Sequence, residues 1–197
     1  MRPTKFPSVC LTDCAIEPAE GWEIRHIKRV TKDLRRASRH PKMLPHLYFP
    51  DEEISIYIDG NISLLRDPVQ VVEKWLGNKD LAVFRHPQRK SVYAEAAAVI
   101  DFRKASKSEV QAQIKKYKAQ GYPGDFGLSA CFVLVRRHTQ LTRKLGERWW
   151  VEYMQYSCRD QLSFDYVRWL LGVERAVLKG NVFKNTSPYF TRRKHSE

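Results

Sequence analysis

Residues Ile54-Ser55-Ile56-Tyr57-Ile58-Asp59-Gly60-Asn61 read as an apolar strand that delivers a carboxylate, a glycine and an amide oxygen at its end. A strand buried in a sheet is a rigid mount, and a carboxylate at its tip holds a hard cation or a sugar hydroxyl in one place. The same letters also spell a β-hairpin, because Asp-Gly between alternating hydrophobics is a leading two-residue turn signal. Read alone, the stretch favours the plain hairpin, and its neighbours have to decide the matter.

Upstream, residues 9–13 form a short strand candidate ending in an acid, and residues 23–27 alternate like a second. A basic helical stretch covers 31–39, before Pro41. Downstream, 62–65 continues extended, and Asp67-Pro68 starts a helix: an acceptor at the cap, then Pro in the first turn, where its missing N–H costs nothing. Val69, Val72 and Leu76 share a face at helical spacing, and Gly77 closes that helix. Leu81-Ala82-Val83-Phe84 is a short apolar strand followed by Arg85-His86-Pro87. An alanine-rich helix is expected over 93–102. Ser106-Lys107-Ser108-Glu109 spells a capping box for the next helix, striped by Val110, Ile114 and Tyr117 and stopped by Gly121.

The continuous apolar run Cys131-Phe132-Val133-Leu134-Val135 suits a strand covered on both faces. Helices follow over 139–156 and 160–171, then a last strand within 173–178 and a loose basic tail over 181–197. Strands separated by helices predict one three-layer α/β/α domain over 1–180, with a mixed or mostly parallel sheet. Ligands of such sheets sit at the carboxyl ends of strands. Asp59, His86 and Arg136 are expected at those ends.

A chain of 197 residues that is 43% hydrophobic can bury one core without disulfide staples, which excludes a disordered or disulfide-framed chain. No apolar run approaches the length of a bilayer span, and the opening Met1-Arg2-Pro3-Thr4-Lys5 has no hydrophobic signal region, so a cytoplasmic location is expected. Cys10, Cys14, Cys131 and Cys158 do not make a Cys-x-x-Cys pair and read as core or incidental thiols. The net charge of +13 calls for an anionic partner. Its cations are spread along the chain, so a phosphate-bearing substrate, an anionic glycan or a membrane surface fits as well as nucleic acid does.

The ordered motifs are more specific than any one of them. Arg39-x-x-Lys42-x-x-Pro45-His46 precedes Ile56-Tyr57-Ile58-Asp59-Gly60-Asn61, then Phe84-Arg85-His86-Pro87 and Tyr93-x-Glu95. Gly127-Leu128, Arg136-x-His138, Trp149-Trp150-x-Glu152 and Ser157-x-Arg159-Asp160-Gln161-Leu162-Ser163-Phe164 follow. Over about residues 9–169 this series resembles the glycosyltransferase-like domain family of plant mucilage and turgor-regulation proteins and their bacterial relatives.

That resemblance implies a GT-A-type nucleotide-sugar fold and a hexosyltransferase-like activity, with a nucleotide-sugar donor and a glycan or other hydroxyl acceptor. Asp59 and Asn61 would fill the place of the Asp-x-Asp motif and hold Mn²⁺ or Mg²⁺ against the diphosphate, whose developing charge a divalent ion neutralises. An Asp-x-Asn pair carries one negative charge fewer than Asp-x-Asp. Gly60 would let the backbone approach the phosphates, and Arg39 and Lys42 would contact them as a fork and a point charge. Arg159, Asp160 and Gln161 match the acceptor-side acidic position, where a carboxylate positions or deprotonates a hydroxyl; Asp160 could equally be the N-cap of its helix. His86 is a candidate metal or phosphate contact, and Glu95 and Arg136 are candidate substrate contacts. Trp149 and Trp150 read as core.

The match begins at what should be the second strand of such a fold, so the first nucleotide-binding strand is expected to be lacking here, through a late start, a fragmentary chain or its loss. Two other readings stay open. One is a non-catalytic basic module for anionic glycan or nucleic acid on a degenerate transferase scaffold, which needs one continuous positive face. The other is a metal-dependent hydrolase, which needs Asp59, His86 and Glu95 to converge.

Overall fold

A computed structural model describes residues 6–17 and 20–193. Residues 1–5 and the last four of the expected tail, 194–197, lie outside them.

In chain order the elements are β1 (Val9–Thr12), β2 (Glu23–His26), α1 (Leu34–Ala37), α2 (His40–Met43), β3 (Ile54–Ile58), β4 (Ile62–Leu64), α3 (Pro68–Val71), β5 (Leu81–Arg85), α4 (Val92–Asp101), α5 (Lys107–Ala119), β6 (Ser129–Arg137), α6 (Gln140–Gln155), α7 (Asp160–Leu170), β7 (Ala176–Leu178) and β8 (Phe190–Arg192). The basic stretch expected as one helix over 31–39 is split. Asp33 caps α1 by accepting from the backbone N–H groups of Arg35 and Arg36, and the chain restarts as α2 with Pro41 in its first turn. Asp67 caps α3 as its sequence indicates, and a π-helical turn over Val72–Leu76 carries the element on to Gly77, whose φ of 53° ends it. The capping box at Ser106 does not form: its Oγ meets the Ser108 Oγ at 2.8 Å, and α5 starts without a side-chain cap.

The central sheet runs β3-β6-β5-β7. The long strand β6 is antiparallel to both of its neighbours, and only β7 lies parallel to β5. The sheet is therefore mixed, with β3 and β5 pointing the same way on either side of an opposed strand. Leu81 and Val83 of β5 face one core, together with Leu134, Trp149, Phe164 and the buried faces of α4 to α7. Ala82 and Phe84 face a second core with Val71, Leu76, Val133 and Phe190. This two-sided covering explains why β5 and β6 read as unbroken apolar runs instead of alternating ones. The outer layer over the second core is thin, consisting of α3 with its π turn and the β4–β8 ribbon.

The Asp-Gly hairpin is not formed. Asp59 N–H still donates to Phe132 O at 2.9 Å, which extends the β3–β6 ladder by one residue. The chain then turns, Ile62 N–H returning to Asp59 O at 2.8 Å, and β4 leaves to pair with β8. The expected tail is thus part of the fold as far as Arg193, with Phe190 buried in the second core. β1 and β2 make a separate parallel pair. All four cysteines are free thiols. Among the described residues no helix is long and apolar enough to cross a membrane.

Candidate active site

Three elements bring four of the sequence-picked residues together. β3 ends at Asp59, α2 carries Lys42 with Arg39 just before it, and α7 begins at Asp160. Lys42 Nζ donates to Asp160 Oδ2 at 2.6 Å and lies 3.5 Å from Asp59 Oδ1. Arg39 Nε lies 3.4 Å from the same Asp160 oxygen. Tyr57, one strand pleat before Asp59, donates its hydroxyl to Asp59 Oδ1 at 2.8 Å, and its ring lies 5.0 Å from the Lys42 ammonium. Two carboxylates and two cations therefore form one balanced network.

Exposure within the network is uneven, and that decides what a ligand can meet. The Lys42 side chain is 1% exposed and Asp160 11%, whereas Asp59 is 30% and Arg39 33% exposed. Asp59 and Arg39 are the solvent-side groups, and Lys42 sits behind them. Lys42, expected as a phosphate contact, instead spends its ammonium on the two carboxylates. Burial alone would lower its pKa, but Asp160, Tyr57 and Asp59 raise it overall, so it stays charged. Burial alone would raise the Asp160 carboxyl; Lys42, Arg39 and Arg159 outweigh that and hold it below the usual carboxylate range.

The packing beneath is equally specific. Trp149 is fully buried and its Nε1–H donates to Asp160 O and Ser163 Oγ, both at 3.1 Å, which pins the first turn of α7. Asp160 is the first residue of α7 and not its cap; the cap position is Arg159, whose side chain makes no capping bond. Arg159 Nε is buried with no hydrogen-bond partner among the described residues. Gln161 is half-buried beside Asp160 on the same turn. Gly146 of α6 faces the Met43 carbonyl so closely that a Cβ there would overlap it.

Arg136 is placed elsewhere than expected. Because β6 runs against β3 and β5, its carboxyl end lies at their beginnings, and Arg136 pairs with Ser55 and Leu81. Its buried guanidinium donates to Lys42 O and to Met43 O, the latter at 3.3 Å. Burial pulls its pKa down to about 10. Arg136 therefore satisfies carbonyls at the end of α2, which would otherwise be orphaned, and holds Lys42 in place from the far side.

His86 and Glu95 form a second, internal group. His86 Nδ1 accepts backbone N–H bonds from Arg89 at 3.0 Å and Gln88 at 3.3 Å, so the ring proton sits on Nε2, 3.5 Å from Glu95 Oε2. Burial lowers the His86 pKa, and Glu95 only partly reverses this. Glu95 is buried and ion-paired with Arg89. Both side chains, expected as metal or substrate contacts, are thus engaged with one another, with Arg89 and with the loop backbone. Among the described residues no group of three or more His, Cys, Asp or Glu side chains is placed to hold a metal ion, so the Asp59–His86–Glu95 triad of a hydrolase is not assembled.

Gly60 and Asn61 form the turn after Asp59. Gly60 does not need positive φ, and a Cβ there would meet nothing within 4 Å. Asn61 O accepts from Arg193 N–H at 2.8 Å, which ties the turn to the end of β8. Of the site residues, Tyr57 was missed by sequence reasoning. The available signal was its alternation with Ile56 and Ile58, which sets it on the opposite face of β3 from those two.

The fold and site are those of a mixed α/β domain in which a strand-end acid and a helix-start acid share one buried cation. The model of the TOD1/MUCI70 glycosyltransferase-like domain family matches residues 19–193, and the chain belongs to that family. It is 32% identical over 146 residues to "Probable hexosyltransferase MUCI70" of Arabidopsis thaliana, covering 69% of this chain and 25% of that protein. It is 28% identical over 141 residues to "Alkaline ceramidase TOD1" of Arabidopsis thaliana, covering 65% of this chain and 30% of that protein. The chain thus spans between a quarter and a third of the length of these curated relatives. No solved structure matches it.

Proposed function

We propose that this domain transfers a hexosyl group from a nucleotide-sugar donor to a hydroxyl acceptor at the Arg39–Asp59 face. The observation that carries this reading is the shared cation: Lys42 holds Asp59 and Asp160 together from behind and leaves Asp59 and Arg39 towards solvent. The family and the hexosyltransferase name of one relative support it.

In this reading Arg39 grips a diphosphate oxygen through its planar fork. Asp59 with the Asn61 amide would hold Mn²⁺ or Mg²⁺, which supplies charge neutralisation for the departing nucleotide. One carboxylate and one amide suit a hard cation that takes its remaining oxygens from phosphates and water. The Tyr57 hydroxyl and Lys42 occupy one Asp59 oxygen and fix the orientation of the other. Asp160 is kept ionised, and a carboxylate of depressed pKa is a weak base. It therefore orients an acceptor hydroxyl and balances charge in preference to removing the proton.

The test is to incubate the purified protein with UDP-, GDP- and CMP-sugars and Mn²⁺ and follow nucleotide release. Release from at least one donor is expected, with Asp59→Asn lowering it on the order of 100-fold, as loss of one electrostatic contact to a transition state does. No release from any donor would refute the reading. Ceramide turnover without nucleotide release would move it to the chemistry named for the second relative.

A further inference from the structure

A cleft of about 440 Å³ lies against α7, β5 and the start of β7. Arg85, Arg168 and Arg175 line it with Phe126, Trp169 and Glu174. The carboxylate behind Arg168 and Arg175 is Asp165, fully buried on α7. Its oxygens are already heavily used. Oδ1 accepts from Arg168 Nε at 2.9 Å and from Ser129 Oγ at 2.8 Å, and Oδ2 accepts from Ser129 N–H at 2.5 Å. Arg168 is completed by Val173 O at 2.7 Å.

Arg175 is left short. Its side chain is 9% exposed, and its Nε lies 3.8 Å from Asp165 Oδ1, too far for a hydrogen bond. Both Nε and Nη1 are buried with no hydrogen-bond partner among the described residues. Glu174 points to Lys79 and is 74% exposed, so it does not neutralise the interior. Two guanidinium groups, Arg168 and Arg175, thus share one carboxylate that already accepts three hydrogen bonds, with Arg85 lining the same cleft. An under-compensated cation in a low-dielectric wall is costly without a counter-charge. Burial accordingly lowers the Arg175 pKa, with Arg168 and Arg85 adding to the effect and Asp165 only partly opposing it. Gly127, at φ 94°, passes close to this guanidinium: a Cβ there would come within 3.0 Å of Arg175 Nη2. The Phe126 ring, 4.7 Å from the Arg168 guanidinium carbon, and Trp169 give the cleft an aromatic wall.

We propose that this cleft is a binding site for an oxyanion, phosphate or carboxylate, that completes the neutralisation of Arg175 and is held by Arg85 and Arg168. The aromatic wall suits a ligand whose anionic group is joined to a flat or apolar body. The site is distinct from the Arg39–Asp59 face.

Thermal unfolding of the full chain, titrated with inorganic phosphate, sodium acetate or sodium chloride at constant ionic strength, tests this. Phosphate or acetate is expected to raise the midpoint saturably where chloride does not. The stronger of the two identifies whether the natural group is a phosphate or a carboxylate. Arg85→Gln, an exposed position that folding tolerates, is expected to raise the half-saturating concentration about tenfold, as loss of a charge-assisted contact does. Arg175→Gln should do the same if it folds. Arg39→Gln should leave the effect intact. The proposal is overturned if neither anion gives a saturable shift beyond chloride, if Arg85→Gln leaves the half-saturating concentration unchanged, or if Arg39→Gln abolishes the effect.

Discussion

Lys42 and Asp160 are 118 residues apart in sequence, yet the ammonium of one lies 2.6 Å from the carboxylate of the other. The contact closes a path from α2 to α7 across the end of β3 and makes the Asp59 environment a joint product of three elements. Removing one member of a buried pair costs far more than the pair contributes, because it leaves a buried charge alone.

Lys42→Met is therefore expected to destabilise the fold by about 3–5 kcal/mol. The double variant Lys42→Met/Asp160→Asn should recover part of that loss, with a coupling of about 0.5–3 kcal/mol. Urea unfolding of the two single variants and the double variant measures it; strictly additive effects would show that the pair is not coupled.

Acid stability follows from Asp160. Its folded pKa is depressed below the unfolded value, so the unfolded chain binds the proton first as pH falls. The stabilisation is present above the unfolded carboxyl pKa of about 3.9 and is lost as pH drops through the lower folded value. Thermal midpoints should decline steeply below about pH 4 in the parent and more gently in Asp160→Asn, once each is referred to its own midpoint at pH 7.

Two glycines separate packing from chemistry. Gly146→Ala puts a methyl into the Met43 carbonyl and should cost about 1–3 kcal/mol, with activity falling as α2 and Lys42 shift. Gly60→Ala meets open space and should change stability by no more than about 0.5 kcal/mol. A fall in nucleotide-sugar turnover in Gly60→Ala at unchanged stability would place a phosphate against that turn.

Tyr57→Phe deletes the hydroxyl that orients Asp59 and leaves the ring packing. A stability loss of about 1 kcal/mol is expected. Turnover should drop about tenfold, equivalent to 1.4 kcal/mol of lost positioning. Turnover equal to the parent's would remove Tyr57 from the site.

Chelation by EDTA should suppress nucleotide release and added Mn²⁺ should restore it, while Asp59→Asn should show little response to either. Undiminished release in EDTA would transfer the burden of charge neutralisation to Arg39 and the other cations of the face.

The grouping of Asp59, Lys42, Arg39 and Asp160 was legible in the order of motifs, and β3, β5, β6 and the helices from α4 onward were legible in apolar spacing. What failed depended on strand direction and pairing, which local spacing does not encode. Arg136 follows an apolar strand just as His86 does, but β6 is reversed, so the two residues lie at opposite ends of the sheet. β4 and β8 have three residues each, too few for a periodic signal, and their pairing cancelled the Asp-Gly hairpin. His86 and Glu95 looked like free chemistry because nothing in sequence reveals that Arg89 neutralises one and a loop backbone occupies the other.

The bond from Arg193 to Asn61 couples the turn after Asp59 to a segment emerging more than a hundred residues later. On the ribosome, Arg39, Lys42, Asp59 and Asp160 would all be synthesised before the strand that clamps the turn exists. The turn after Asp59 is thus fixed last, when the final strand docks, and cleavage between β7 and β8 is expected to loosen that turn without touching any group in the network.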